Sequence, residues 1–185
     1  YAAGDLLLAI ISIDDSAAAA AQNVLGGMPA QYARLDIAGA FTNYDTAAND
    51  ATAADFFPVA AAPAVNDAFY VGYSAPFSEV DFLFSTQGAG TWTNTWEYWN
   101  GSAWTTVNTP SDGTTSFKAA TTVHARVTHV PQTNWATTTV NGVSAYWLRS
   151  RVSAYTSITT RPVCTQLWVI PTETSGALGW KQLFA

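Results

Sequence analysis

The stretch Thr91–Trp104, TWTNTWEYWNGSAW, gathers four of the chain's eight tryptophans around an Asn100-Gly101 pair, and it constrains the fold more than any other segment. Indole rings need burial, and Asn-Gly between two alternating runs signals a β-hairpin, because both residues tolerate the positive φ of a type I′ turn. Side chains alternate across a strand, so Trp92, Trp96 and Tyr98 share one face while Thr91, Thr93, Thr95, Glu97 and Trp99 share the other. The first set is expected to face a core. The second set carries Trp99 beside Glu97, with Trp104 returning across the turn, and is expected either to lie under another layer or to bind something.

The rest of the chain carries the same period. Phe69, Val71 and Tyr73 alternate, as do Val80, Phe82 and Phe84 with Glu79 and Asp81 opposite. Further strands are expected at Tyr32–Ala38, near Ser116–Ala119, at Thr122–Val130 and at Cys164–Ile170, with Asn141-Gly142 as a second turn. Beyond that turn Tyr146, Leu148, Ser150 and Val152 should face one way, and Trp147, Arg149 and Arg151 the other. Residues after Ala38 through Asp55 show neither period and read as a surface loop, as do Thr109–Thr115 with Pro110 and Asp112-Gly113. Short strands at roughly 10-residue spacing, with hardly any helix, predict an all-β protein, an antiparallel β-sandwich or jelly roll.

The beginning of the chain differs. Leu6–Ile13, LLLAIISI, is apolar throughout and bounded by Asp5 and Asp14-Asp15. It is too short for a membrane span of about 20 residues, and no Lys or Arg precedes it as a signal peptide requires. It reads either as a central strand of the sandwich or as an arm, and in the arm reading Leu6, Leu7, Leu8, Ile10, Ile11 and Ile13 dock onto a neighbouring subunit. A short helix over 17–25, capped by Asp15 or Ser16 and stopped by Gly26-Gly27, should follow. The expected organisation is an N-terminal arm and first strands over residues 1–45, then a sandwich domain over 46–185.

Composition narrows the function. Charged residues make up only 11% of the 185, and the net charge is −6 with Lys and Arg scattered singly, so no phosphate-binding footprint exists and nucleic acid is not an expected partner. The single Cys164 excludes an intrachain disulfide and reads as a small buried hydrophobe. His124 and His129 are five apart on one expected strand, so they point to opposite faces and do not share a metal. The glutamates are Glu79, Glu97 and Glu173. Glu97 is the one placed for acid catalysis, but Arg149 or Arg151 is its more ordinary partner. Asp45, Asp50 and Asp55 recur every five residues without the ligand pattern of a calcium loop. No nucleophile, zinc, nucleotide or dinucleotide motif is present, so no catalytic residue, metal or cofactor is expected.

A chain of motifs adds a resemblance. TAANDATAADFFPVAAAPAVNDAFYVG from Thr46, F-S-E-V-D-F-L-F from Phe77, G-A-G-T-W-T-N-T-W-E-Y-W-N-G-S-A-W-T from Gly88, D-G-T from Asp112, N-W-A-T-T-T-V-N-G-V-S-A-Y-W-L-R-S-R-V-S-A-Y-T from Asn134 and T-R-P from Thr160 follow in order over most of residues 46–170. Together they resemble a family of bacteriophage and prophage virion proteins, and W-E-Y-W-N-G-S-A-W followed by D-G-T and Y-W-L-R is similar to segments of phage baseplate-assembly proteins. The resemblance implies a non-enzymatic virion structural protein on the particle exterior, a capsid decoration (cement) protein or a tail or baseplate component. Its partners would be copies of itself and major capsid or tail proteins. The rival expectation is a carbohydrate-binding module that stacks sugar on Trp99 and Trp104 beside Glu97, which requires those rings to be exposed and coplanar.

Overall fold

Apolar and polar residues alternate along residues 91–98 and along His124–Thr128 of the computed structural model, which describes residues 27–50, 56–108, 110–120, 124–130 and 132–172. The strands are β1 (Met28–Pro29), β2 (Tyr32–Ile37), β3 (Ala40–Asn43), β4 (Ala68–Tyr73), β5 (Phe77–Thr86), β6 (Ala89–Trp99), β7 (Trp104–Thr106), β8 (Ser111–Asp112), β9 (His124–Thr128), β10 (Thr137–Val140), β11 (Val143–Thr160) and β12 (Val163–Pro171). A single 3-10 turn, Ala47–Asn49, is the only helical element among the described residues. One sheet has the order β1-β12-β5-β9-β8, the other β3-β2-β4-β11-β6-β7, with β10 also paired to β11. Every pairing is antiparallel.

The two sheets pack face to face as an all-β sandwich. Phe69 and Val71 of β4, Leu148 and Val152 of β11, and Trp96 and Tyr98 of β6 meet Val80, Phe82 and Phe84 of β5, Val127 of β9, and Leu167 and Val169 of β12 in one buried cluster. Trp96 and Tyr98 therefore face the core, as their spacing predicts. A one-residue slip in either register would carry every one of these side chains to the wrong face. Cys164 is fully buried in the same cluster, where burial pushes its thiol well above the ordinary range.

Several local expectations change. The segment near Ser116–Ala119 is not a strand: Thr115, Ser116 and Phe117 have φ of 50°, 60° and 64°, a left-handed turn closed by Lys118 N donating to Thr114 O at 2.8 Å. The Asp112 carboxylate holds it, accepting from Thr114 N at 2.9 Å and Ser116 N at 3.0 Å. This side-chain competition for backbone donors defeats the strand pattern. The Asn100-Gly101 turn also differs. Its pivot is Gly101-Ser102 between Asn100 and Ala103, and Gly101 but not Asn100 has positive φ. The Asn100 side chain instead accepts from the Ser102 and Ala103 amides, both at 2.9 Å. By contrast, Asn141 and Gly142 both take positive φ, 46° and 81°, and join β10 to β11 in the expected two-residue turn.

The segment read as a loop after Ala38 contains β3, hydrogen-bonded to β2. Residues 28–43, which the sequence reading groups with the arm and first strands, supply strands to both sheets. Leu6, Leu7, Leu8, Ile10, Ile11 and Ile13, the expected helix over 17–25, Asp55 and Glu173 lie outside the described residues.

Candidate binding face

Residues of β11 that turn away from the core start a second layer. Strand pairing places Arg34 opposite Tyr70, Tyr70 opposite Arg149, Arg149 opposite Glu97, and Glu97 opposite Thr106. These residues form one row straight across β2, β4, β11, β6 and β7. The neighbouring row runs Tyr32, Gly72, Trp147, and Trp99 faces Trp104 across the hairpin. Tyr70 and Trp147 are buried on this outer face, with Tyr32, Phe41 and Trp104 packed half-exposed around them.

Gly72 is the seat of the Trp147 indole. A Cβ there would stand 2.6 to 2.9 Å from three ring carbons, closer than van der Waals contact permits. With the ring laid on bare backbone, Trp147 Nε1 donates to Thr138 O at 3.1 Å, and the ring meets Tyr70 edge-on at 6.3 Å and Tyr32 at 5.8 Å. A residue without a side chain is thus what lets the largest side chain lie flat and buried.

Glu97 is enclosed by two arginines. Arg149 Nη2 lies 2.7 Å from its Oε2 and Arg151 Nη2 lies 2.9 Å from its Oε1, and each Nε also donates to the carboxylate. Burial alone would push the Glu97 carboxyl up, but hydrogen bonds from Arg151 and Arg149 and their charges outweigh it and hold it below the usual range. Such a group remains an anion at neutral pH and has no proton to give as a general acid. The guanidinium of Arg149 continues onto the aromatics: it lies 4.3 Å from the Trp104 ring centre and donates to the Tyr70 hydroxyl at 3.2 Å.

Trp99 and Trp104 come together as expected, both half-exposed, but edge to face: their centroids are 5.7 Å apart and their planes 67° from parallel. They do not form one flat platform. What the face does offer is Trp, Tyr and Arg side chains already held by ring contacts and ion pairs, which is the composition of energetic anchors in protein interfaces.

The remaining site candidates separate. His124 projects from the outer face of the other sheet, its Nδ1 3.0 Å from Asp81 Oδ2, and Arg126 Nε reaches Glu79 at 3.3 Å and Asp81 at 3.4 Å. Asp81 is 1% exposed, and burial pushes its carboxyl up against the pull of His124 and Arg126. The sequence places Glu79 and Asp81 outward but gives no sign of this network, because its partners come from β9. His129 packs on the core side against Phe77 and Trp135. Asp45 pairs with Arg34 and accepts from Ala33 N at 2.8 Å. Among the described residues no three His, Cys, Asp or Glu side chains converge as a metal site, and no helix is long and apolar enough to cross a membrane. Compared with known proteins, the chain matches no family model, no curated protein and no solved structure.

Proposed function

We propose that this chain is a non-enzymatic structural protein of a bacteriophage-type particle, a decoration (cement) protein bound to the capsid exterior, with a tail or baseplate position as the second placement. The observation that carries the reading is the outer face built on Arg149, Trp104, Tyr70 and Trp147. Its aromatic and guanidinium groups are immobilised before any partner arrives, so docking costs little side-chain entropy. The motifs that resemble virion proteins supply this face: Y-W-L-R contributes Trp147 and Arg149, and W-E-Y-W-N-G-S-A-W contributes Glu97, Trp99 and Trp104.

Low charge supports the same reading, since long charged side chains are depleted in the cores of protein interfaces. A sugar platform at Trp99 and Trp104 is less favoured, because the rings stand 67° apart and Arg149 already occupies one indole.

The test is mass spectrometry and electron cryomicroscopy of particles purified from cells that encode this chain. The expected result is a stoichiometric band and density for the sandwich on the shell, with the Trp104 face buried. Substituting Trp104→Ala together with Tyr32→Ala should cut occupancy while leaving the fold intact. Particles that lack the chain altogether, or bear it with this face turned to solvent, would overturn the reading.

A further inference from the structure

At one end of the sandwich, Tyr98, Asn108, Val130, Gln132, Thr133 and Asn134 line an open cavity of about 450 Å³. This is the size range of small-molecule sites, roughly 300–1,000 Å³. We propose that this cavity binds a neutral saccharide, a function additional to the structural role above and at a place other than the tryptophan hairpin.

The chemistry of the lining carries the argument. It holds three primary amides, a hydroxyl, a phenol and one aliphatic side chain, and no charged group. Amide and hydroxyl groups both donate and accept, which matches the dual character of a sugar hydroxyl. Without a cation in the wall, a phosphate or carboxylate ligand would be desolvated unpaired; without an anion, so would an ammonium. The Val130 side chain is 59% exposed and offers an apolar surface for the C–H face of a ring.

One polar group is already fixed. Tyr98 projects from the core with its hydroxyl donating to Asn134 Oδ1 at 2.8 Å, which turns the Asn134 amide nitrogen toward other acceptors. Beside Tyr98, Trp135 packs at 6.0 Å and His129 behind it at 5.5 Å from Trp135. Both are buried, and their Nε1 and Nε2 atoms have no partner among the described residues, so this end of the core keeps hydrogen-bonding capacity that those residues do not use. A peptide adding as a strand is the less fitting occupant, since β6 is paired on both edges at Tyr98 and the other lining segments are loops.

The experiment is a printed glycan array, followed by calorimetric titration of the intact protein with the strongest binder. Asn108→Ala is at an exposed position and should leave the melting temperature nearly unchanged, whereas Asn134→Ala also removes the acceptor of the Tyr98 hydroxyl and should lower it modestly while the protein stays folded. Each should weaken binding by about tenfold, the loss of one hydrogen bond to the ligand, while Trp104→Ala leaves affinity intact. An array with no bound glycan overturns the proposal, as does binding that survives both asparagine variants or is lost in Trp104→Ala. Particle occupancy should be unaffected by Asn108→Ala, so failure here is distinguishable from failure of the structural role.

Discussion

The guanidinium of Arg149 lies 4.3 Å from the ring centre of Trp104, so a cation is stacked on an indole at the middle of an outward sheet face. Arginine suits this place because its planar, weakly hydrated fork stacks on a ring and binds a carboxylate at the same time. The two contacts fix each other: Glu97 orients the fork, and the oriented fork keeps Trp104 against Tyr70 at 5.5 Å, edge to face. Order in this face thus depends on one carboxylate.

Glu97→Gln should therefore destabilise the fold by about 1–3 kcal/mol, the cost of leaving buried charged donors poorly paired. The figure sits below that for a fully buried pair because Arg149 and Arg151 keep contact with solvent. The sign with pH follows from a folded-state carboxyl held below its ordinary value. Its stabilisation is present above the unfolded value and is lost as pH falls through the folded one. Urea denaturation at neutral pH and across the acid range should show a smaller acid loss in Glu97→Gln than in wild type. Equal stability at neutral pH would show that the pair contributes nothing.

Gly72 and Gly142 should respond differently to alanine. At Gly72 the obstacle is the Trp147 ring, so Gly72→Ala should cost about 1–3 kcal/mol by overpacking. Trp147→Leu in the same chain should recover part of that loss, a coupling that a double-mutant cycle reads. At Gly142 a Cβ meets nothing within 4 Å, but φ is +81°. Gly142→Ala should cost about 1–2 kcal/mol from the left-handed backbone alone, with no coupling to Trp147.

How much of this was legible in the sequence depended on where each signal lay. Period-2 alternation set the two faces of β11 and the burial of Trp96 and Tyr98, because one buried face fixes register. The Glu97 partnership with arginines was readable as an option, since only Arg149 and Arg151 share the outward period nearby. Three features were not readable. β3 is a four-residue, mostly exposed edge strand, too short to show a period, and it pairs because β2 leaves an open edge. The turn at Thr115–Phe117 breaks a strand-like pattern through the Asp112 carboxylate, and local patterning does not foresee three consecutive left-handed residues. The Asp81–His124–Arg126 network and the cavity at Tyr98 arise from strands and loops far apart in sequence, which only tertiary pairing brings together.

The left-handed turn makes a prediction of unusual sign. Thr115 is β-branched with φ of 50°, a conformation that costs L-residues roughly 1–2 kcal/mol. Glycine relieves that strain but adds about 0.5–1 kcal/mol of unfolded-state entropy. Thr115→Gly should thus be neutral or stabilising by up to about 1 kcal/mol. Asp112→Ala removes the acceptor for two backbone amides and the Thr114 hydroxyl, and should destabilise by about 1–3 kcal/mol. Paired thermal melts would read both, and a Thr115→Gly protein clearly less stable than wild type would mean that the turn is unstrained.

His129 should impose a pH dependence on stability of the same sense as Glu97 but beginning nearer neutrality. Its imidazole sits between Phe77 and Trp135, with Nδ1 3.1 Å from Val130 O. Burial pushes its pKa below the ordinary 6.5, against a smaller upward pull from that carbonyl. The unfolded chain therefore binds a proton that the folded chain refuses, and stability rises with pH wherever the two differ. The loss should begin as pH falls through about 6.5 and continue down to the folded value, with a slope of at most about 1.4 kcal/mol per pH unit. His129→Phe keeps a flat ring against Phe77 and Trp135 and removes the titration. Denaturation curves between about pH 7.5 and 5 should be flatter for His129→Phe than for wild type, the carboxylates contributing alike to both and cancelling in the difference. Parallel curves would mean that His129 takes up its proton as readily in the fold as in the unfolded chain.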